Sequence, residues 1–197
     1  MEVKQILVIQ NKRIGDVLIS SVIANNIKKV FPKSHLTYLV YDYTTGVLEQ
    51  NPNIDAIISV KERVLKKPLE LLKMIYRMRK TNYDIIFDPY SKFQSRIICL
   101  FSKAEYRIGL KRAHKELKLP FYTHPISFLD RRSKICGKES EDSIKMITSV
   151  FDLPNPDFEP KIFLTEQEEQ YAGISDQKKP VIMLGVLGST PQKSMPY

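Results

Sequence analysis

Gly15 and Asp16 form a pair that can do chemistry, and Lys12 and Arg13 stand just ahead of them. The stretch NKRIGDVLISSVIANNIKKVFP, residues 11 to 32, follows the apolar run Ile6-Leu7-Val8-Ile9 and reads as the start of a helix. An aspartate at a strand-to-helix junction has two uses. As an N-cap, its carboxylate accepts helix N–H bonds and is worth about 1 kcal/mol. Exposed at the carboxyl edge of a sheet, where α/β folds bind ligands, the same group serves as a general base. The two roles compete, because N–H bonds and the helix dipole stabilise a carboxylate and so weaken it as a base. Such a base works best when proton transfer comes late, after the attacking hydroxyl has become acidic.

Other chemistries find less support. The sequence contains neither G-x-G-x-x-G nor G-x-x-x-x-G-K-[ST], which disfavours a nicotinamide dehydrogenase and a P-loop ATPase. Cys99 and Cys136 lack a C-x-x-C spacing, and His35, His114 and His124 are scattered, so no zinc site or disulfide framework is readable.

The elements that must hold Asp16 in place are legible from periodicity. Ile6 to Gln10 is short, continuously apolar and followed by a turn, as expected of a buried parallel strand. Leu18, Val22, Ile23, Ile27, Val30 and Phe31 then recur at helical spacing, with Lys28 and Lys29 near the end and Pro32 as terminator. The alternation continues with strands expected at Leu36 to Val40, Ala56 to Val60, Tyr83 to Asp88, Tyr106 to Leu110 and Phe121 to Phe128. Helices are expected at Pro68 to Lys80, Ser91 to Ser102 and Glu139 to Phe151. This pattern predicts an α/β fold with a Rossmann-like, mostly parallel sheet and flanking helices.

The prolines of Asp152-Leu153-Pro154-Asn155-Pro156-Asp157 mark a loop, and the first domain is expected to close near residue 160. Beyond it, Thr165-x-x-Glu168 has the spacing of a capping box. Val181 to Leu184 reads as a new buried strand leading into Gly188-Ser189-Thr190, and the sequence runs seven residues further to Tyr197. One domain over 1–160 is expected, with 161–197 as a linker and the opening of a second.

The net charge of +9 suits an anionic partner, whether phosphorylated sugar, nucleic acid or anionic bilayer. Three clusters are candidates for that partner. Asp88, ending a strand at the ligand edge, is followed by Ser91, Lys92 and Arg96, which could hydrogen-bond the sugar or phosphate of an acceptor; capping and ordinary surface charge explain them equally well. Arg107, Lys111 and Arg112 could hold phosphates or carboxylates. Lys66, Lys67, Lys73, Arg77, Arg79 and Lys80 accompany Leu69, Leu72, Ile75, Tyr76 and Met78, a pattern that fits either a lipid-facing helix or a core helix with a solvated basic face. No RNA-type aromatic platform or DNA-reading motif is visible. No stretch approaches the roughly 18 apolar residues of a membrane span, and the N-terminus lacks a signal-peptide core. A cytoplasmic protein, soluble or peripheral to the membrane, is expected.

ILVIQNKRIGDVLISSVIANNIKKVFPKSHLTYLV resembles the opening of the heptosyltransferases of glycosyltransferase family 9, in its apolar strand, polar loop, Gly-Asp and apolar helix ending in Phe-Pro. NYDIIFD at 82 to 88 is similar to the family's Tyr-Asp-x-x-x-Asp strand, YRIGL at 106 to 110 to its Arg-Ile-Gly, and GSTPQKSMP at 188 to 196 to its donor-side turn. The resemblance implies the N-terminal half of a GT-B fold. It implies inverting, metal-independent transfer of a heptose or related sugar from a nucleotide-sugar co-substrate, ADP-heptose, to a lipopolysaccharide or lipooligosaccharide core, with no other cofactor. Asp16 matches the position of the catalytic base. Lys12, Arg13, Gly15, Asp88, Ser91, Lys92 and Arg107 fall to the acceptor side, and Gly188, Ser189, Thr190 and Lys193 to the donor side. Two departures bear on the acceptor: Tyr90-Ser91 stands where the family often has Gln-Gly, and no histidine occurs near Glu139 to Ser143. A non-catalytic basic module binding anionic lipid or nucleic acid is the competing reading; it leaves Gly15-Asp16 and the Lys193 turn unexplained.

Overall fold

Largely apolar runs become the strands of one parallel sheet, buried on both faces at its centre and partly exposed toward its edges. In the computed structural model, which describes residues 3–111, 119–127 and 138–171, these are β1 (Gln5–Gln10), β2 (His35–Tyr41), β3 (Ala56–Val60), β4 (Ile85–Asp88), β5 (Tyr106–Leu110) and β6 (His124–Ile126). Their order is β3-β2-β1-β4-β5-β6, every pair parallel, which is the Rossmann order. The fold class is thus the expected one. Alternate residues of β1 feed two cores. Ile6 and Val8 join the layer formed by α1 (Ile14–Ser20), α2 (Val22–Val30) and α6 (Lys138–Thr148). Leu7 and Ile9 join the layer of α3 (Glu62–Leu65), α4 (Pro68–Thr81) and α5 (Phe93–Phe101).

The helix expected as one piece after β1 is broken at Ser21. The Ser20 and Ser21 hydroxyls donate to the carbonyls of Val17 and Leu18, at 2.8 and 2.7 Å, and such back-bonding bends helices. The buried Tyr38 hydroxyl of β2 donates to the Ser20 carbonyl at 3.0 Å and accepts from the Ala24 N–H. A phenol thereby stands in for one rung of the helix ladder, so the break leaves no orphaned backbone group there.

The 152–157 segment is a loop, as its prolines require, and Asn26 pins it to α2. The buried Asn26 side chain donates to Asp157 O at 2.6 Å and accepts from Asp157 N–H at 2.8 Å. The chain divides into two compact units, Met1–Phe163 and Leu164–Tyr197. In the second, α7 (Glu166–Tyr171) opens with the expected capping box: Glu168 N–H donates to the Thr165 hydroxyl at 3.2 Å, and Thr165 N–H to the Glu168 carboxylate at 2.8 Å. The Val181–Leu184 strand lies outside the described residues.

Candidate functional site

At the carboxyl ends of β1 and β4 the chain leaves in opposite directions, to α1 on one face of the sheet and to α5 on the other. This is the topological switch point, where a parallel sheet opens a crevice for ligands. A cleft of about 60 Å³ occupies it, lined by Gln10, Lys12 and Asp16 on one side, Pro89 and Leu110 at the floor, and Glu139, Asp142 and Ser143 of α6 on the other. One water needs at least about 10–15 Å³, so the cleft has room for a group of a few heavy atoms.

Asp16 is the third residue of α1, whose N-cap is Arg13; it is not itself the cap. Its carboxylate faces the cleft, 38% exposed, and meets the Lys12 ammonium at 3.2 Å. Lys12 therefore fixes where the carboxylate points. The backbone carbonyl of Asp16 accepts from the Gln10 side-chain amide at 3.3 Å, and the Gln10 Oε1, buried, finds no hydrogen-bond partner. Gly15 lies inside the helix rather than in a turn: its φ is ordinary, and a Cβ there would meet open space. Packing does not demand the glycine, and Gly15 does not line the cleft.

Asp88 and Ser91, expected on the acceptor surface, are buried beneath the cleft. The Asp88 carboxylate accepts from Ser91 N–H at 2.8 Å and from the Tyr122 hydroxyl at 2.7 Å. Ser91 takes a left-handed backbone (φ 46°), and its hydroxyl oxygen accepts from Leu110 N–H at 2.9 Å. These two residues tie β4 to β5 and to the strand-preceding segment at Tyr122. Arg96 lays its guanidinium over the Phe121 and Tyr122 rings, at 5.0 and 5.6 Å. Lys92 is exposed at the N-cap of α5, which the Ser95 hydroxyl closes through the Lys92 backbone.

Arg107 is displaced further. Near the amino end of β5, it donates to the carbonyls of Phe121 (3.2 Å) and Ala104 (3.1 Å), away from the ligand edge. Lys111 follows the other end of the same strand, so the two do not form the expected cluster. Arg112, and the donor-side Gly188, Ser189, Thr190 and Lys193, lie outside the described residues. Gln10, Glu139, Asp142 and Ser143 were missed by sequence reasoning. Only the polar composition of Glu139 to Ser143, in an otherwise amphipathic helix, hinted at them. Among the described residues no three His, Cys, Asp or Glu side chains gather to hold a metal ion, and no helix is long and apolar enough to cross a membrane.

Burial raises the Asp88 pKa from 3.8 to about 6, against the hydrogen bonds from Ser91, Tyr122 and Ser95 and the charge of Arg96. The sign of the linkage follows. The folded chain holds this proton more tightly than the unfolded one, so the group's favourable contribution is complete below 3.8 and is lost as pH rises through about 6. Urea unfolding of the parent and of Asp88→Asn across this window checks it. The parent should lose stability relative to the variant with rising pH, by at most about 1.4 kcal/mol per unit, and the difference should level off above the window. A pH-independent difference would show that Asp88 ionises as freely when folded as when unfolded.

Known proteins agree with this architecture. Among curated proteins, lipopolysaccharide heptosyltransferase 3 of Escherichia coli is 25% identical over 105 residues, 52% of this chain and 31% of that protein. Lipopolysaccharide heptosyltransferase 1 of Campylobacter coli is 21% identical over 165 residues, 83% of this chain and 48% of that protein. The chain thus spans from under a third to about half of these relatives. Among solved structures, a glycosyl transferase family 9 protein from Veillonella parvula superposes with a TM-score of 0.70 at 19% identity, covering 100% of this chain and 58% of that one. E. coli heptosyltransferase WaaC, solved with ADP-2-deoxy-2-fluoro heptose, gives 0.63 at 15% identity, covering 78% and 51%. The fold is that of the GT-B heptosyltransferase structures. The profile of Glycosyltransferase family 9 (heptosyltransferase) matches residues 71–196, well over half of the sequence, and the chain belongs to that family.

Proposed function

We propose that this chain supplies the acceptor side of an inverting sugar transferase. A heptose or related sugar would pass from a nucleotide-sugar donor, ADP-heptose, to lipopolysaccharide or lipooligosaccharide core, with Asp16 as general base and without a metal or other cofactor. In this reading residues 1–160 form the acceptor domain, and 161–197 form a linker and the opening of the nucleotide-sugar domain. Gly188, Ser189, Thr190 and Lys193 contact the donor. The reaction takes place in the cytoplasm, at the inner face of the membrane.

One observation carries the proposal: a carboxylate held by Lys12 faces a cleft at the topological switch point. The relatives' names supply the substrate classes, lipopolysaccharide as acceptor and, through the ADP-2-deoxy-2-fluoro heptose bound by WaaC, the donor. The acceptor hydroxyl attacks the anomeric carbon from the face opposite the leaving group, and the bond from that carbon to the diphosphate oxygen breaks with its electron pair. Asp16 takes the hydroxyl proton as the new glycosidic bond forms. Proton transfer is late, so an aspartate suffices. Lys12 pairs with the carboxylate, Gln10 donates to the Asp16 backbone carbonyl, and Glu139 on the opposite wall offers an acceptor to a hydroxyl-rich sugar.

Titration calorimetry at physiological salt tests the acceptor assignment. Phosphorylated core oligosaccharide should bind the chain saturably and at least about ten-fold more tightly than duplex DNA of equal charge. Equal, steeply salt-dependent binding to both would replace the proposal with plain electrostatics, the competing basic-module reading.

A further inference from the structure

Helix α4 has two apolar faces, and the sheet uses only one. Met74 and Met78 are buried, and Leu71 and Ile75 pack beside them on the core under β1 and β4. Leu69, Leu72 and Tyr76, at positions i, i+3 and i+7, form a second stripe on the opposite side. They are 72%, 60% and 71% exposed. Sequence alone leaves open whether this helix faces lipid or the core; the structure buries Met78 and leaves Leu72 and Tyr76 outside. Lys73, Arg77 and Lys80 run along one flank of the outward stripe and Arg79 lies on the other, with Glu70 paired to Lys73 at 2.8 Å. The neighbouring α5 adds exposed Phe93 and Phe101.

We infer that this face is a docking surface for an anionic lipid bilayer. An apolar ridge flanked by cations, three on one side and Arg79 on the other, is what an interfacial helix presents: the ridge enters the acyl boundary while the cations meet lipid phosphates. The same charges argue against the other occupants. Two copies set face to face would oppose their cations, and nucleic acid has no use for three exposed apolar side chains at the centre. The geometry also suits the chemistry. Because α4 follows β3 through α3, its first turns, with Leu69 and Leu72, lie at the carboxyl edge of the sheet, the edge that holds the cleft. A lipid-anchored acceptor would present its sugars there; that clause rests on the proposed function, whereas lipid docking itself does not.

Co-sedimentation of the chain with vesicles, without donor or acceptor, tests the surface. The chain should bind phosphatidylcholine vesicles that contain phosphatidylglycerol and leave vesicles of phosphatidylcholine alone unbound. Leu72→Ser with Tyr76→Ser should weaken binding at least about ten-fold, while circular dichroism stays unchanged because neither side chain enters the core. Arg77→Glu with Lys80→Glu should abolish the preference for anionic lipid. No binding by the parent chain, or equal binding by the Ser variant, would overturn the inference. So would a Ser variant that alters the mass of the protein in solution and not its vesicle binding, since the stripe would then be a protein interface.

Discussion

If Asp16 is the general base proposed above, Asp16→Asn should lower sugar transfer by about 10²-fold or more, the usual scale of a lost general base, while acceptor affinity stays within a few-fold. Since the chain spans half or less of its curated relatives, the assay belongs in a polypeptide that continues these residues to the full length of a family-9 transferase. The amide keeps the shape of the carboxylate but loses its charge, and with it the basicity and the ion pair with Lys12. Little stability goes with it. Arg13, not Asp16, is the N-cap, and the Lys12 pair is over a third exposed on both sides. An exposed pair contributes at most about 1 kcal/mol, and an acidic residue in the first helical turn a similar amount. Thermal unfolding and turnover therefore separate cleanly. If the Asn variant turned over near-normally, Asp16 would be reduced to a helix-dipole partner and the base would have to be sought across the cleft, on Glu139 or Asp142.

Among the described glycines, Gly109 is the one where substitution by Ala should be most damaging. A Cβ at this position would overlap the Tyr122 ring, which lies flat against β5 and is itself held by the Asp88 carboxylate and the Ser91 hydroxyl. The ring cannot retreat without breaking both hydrogen bonds. We expect a loss of about 2–3 kcal/mol, the upper range of overpacking, read as a shift in the urea midpoint. Tyr122→Ala alone should also destabilise, but adding Gly109→Ala to it should cost little more, because the clash is gone. Additive losses would place the strain elsewhere. The Ile-Gly of the YRIGL stretch thus has a physical reason: only glycine lets an aromatic ring sit on the strand that borders the cleft.

The centre of the sheet was legible because β1 and β4 are buried on both faces and so appear as largely apolar runs. Ala56–Val60 and Tyr106–Leu110 have the bounds that periodicity predicts. Lys12 was read as an acceptor contact; the structure pairs it with Asp16, four residues on. What escaped depends on partners distant in sequence. The break at Ser21 is completed by Tyr38, from the next strand. Asp88 looks like a surface acceptor contact until Tyr122, 34 residues on, covers it. Arg107 and Lys111 are neighbours in sequence, but at about 3.3 Å per strand residue they stand at opposite ends of β5. The α6 wall of the cleft had only the polar composition of Glu139 to Ser143 as a sign, because packing of α6 beside α1 creates it.

The position of β1 in the sheet also bears on how the chain is made. It pairs with β2 soon after synthesis, but its other edge waits for β4, whose Asp84–Gln5 contact spans 79 residues. At roughly 5–20 residues per second on the ribosome, that wait lasts roughly 4 to 16 s. Throughout it, Ile6-Leu7-Val8-Ile9 offers an open row of backbone donors and acceptors to any other nascent strand. The strand that delivers the chain to Asp16 is therefore the one most exposed to mispairing during translation, a hazard of biosynthesis that the finished sheet no longer shows.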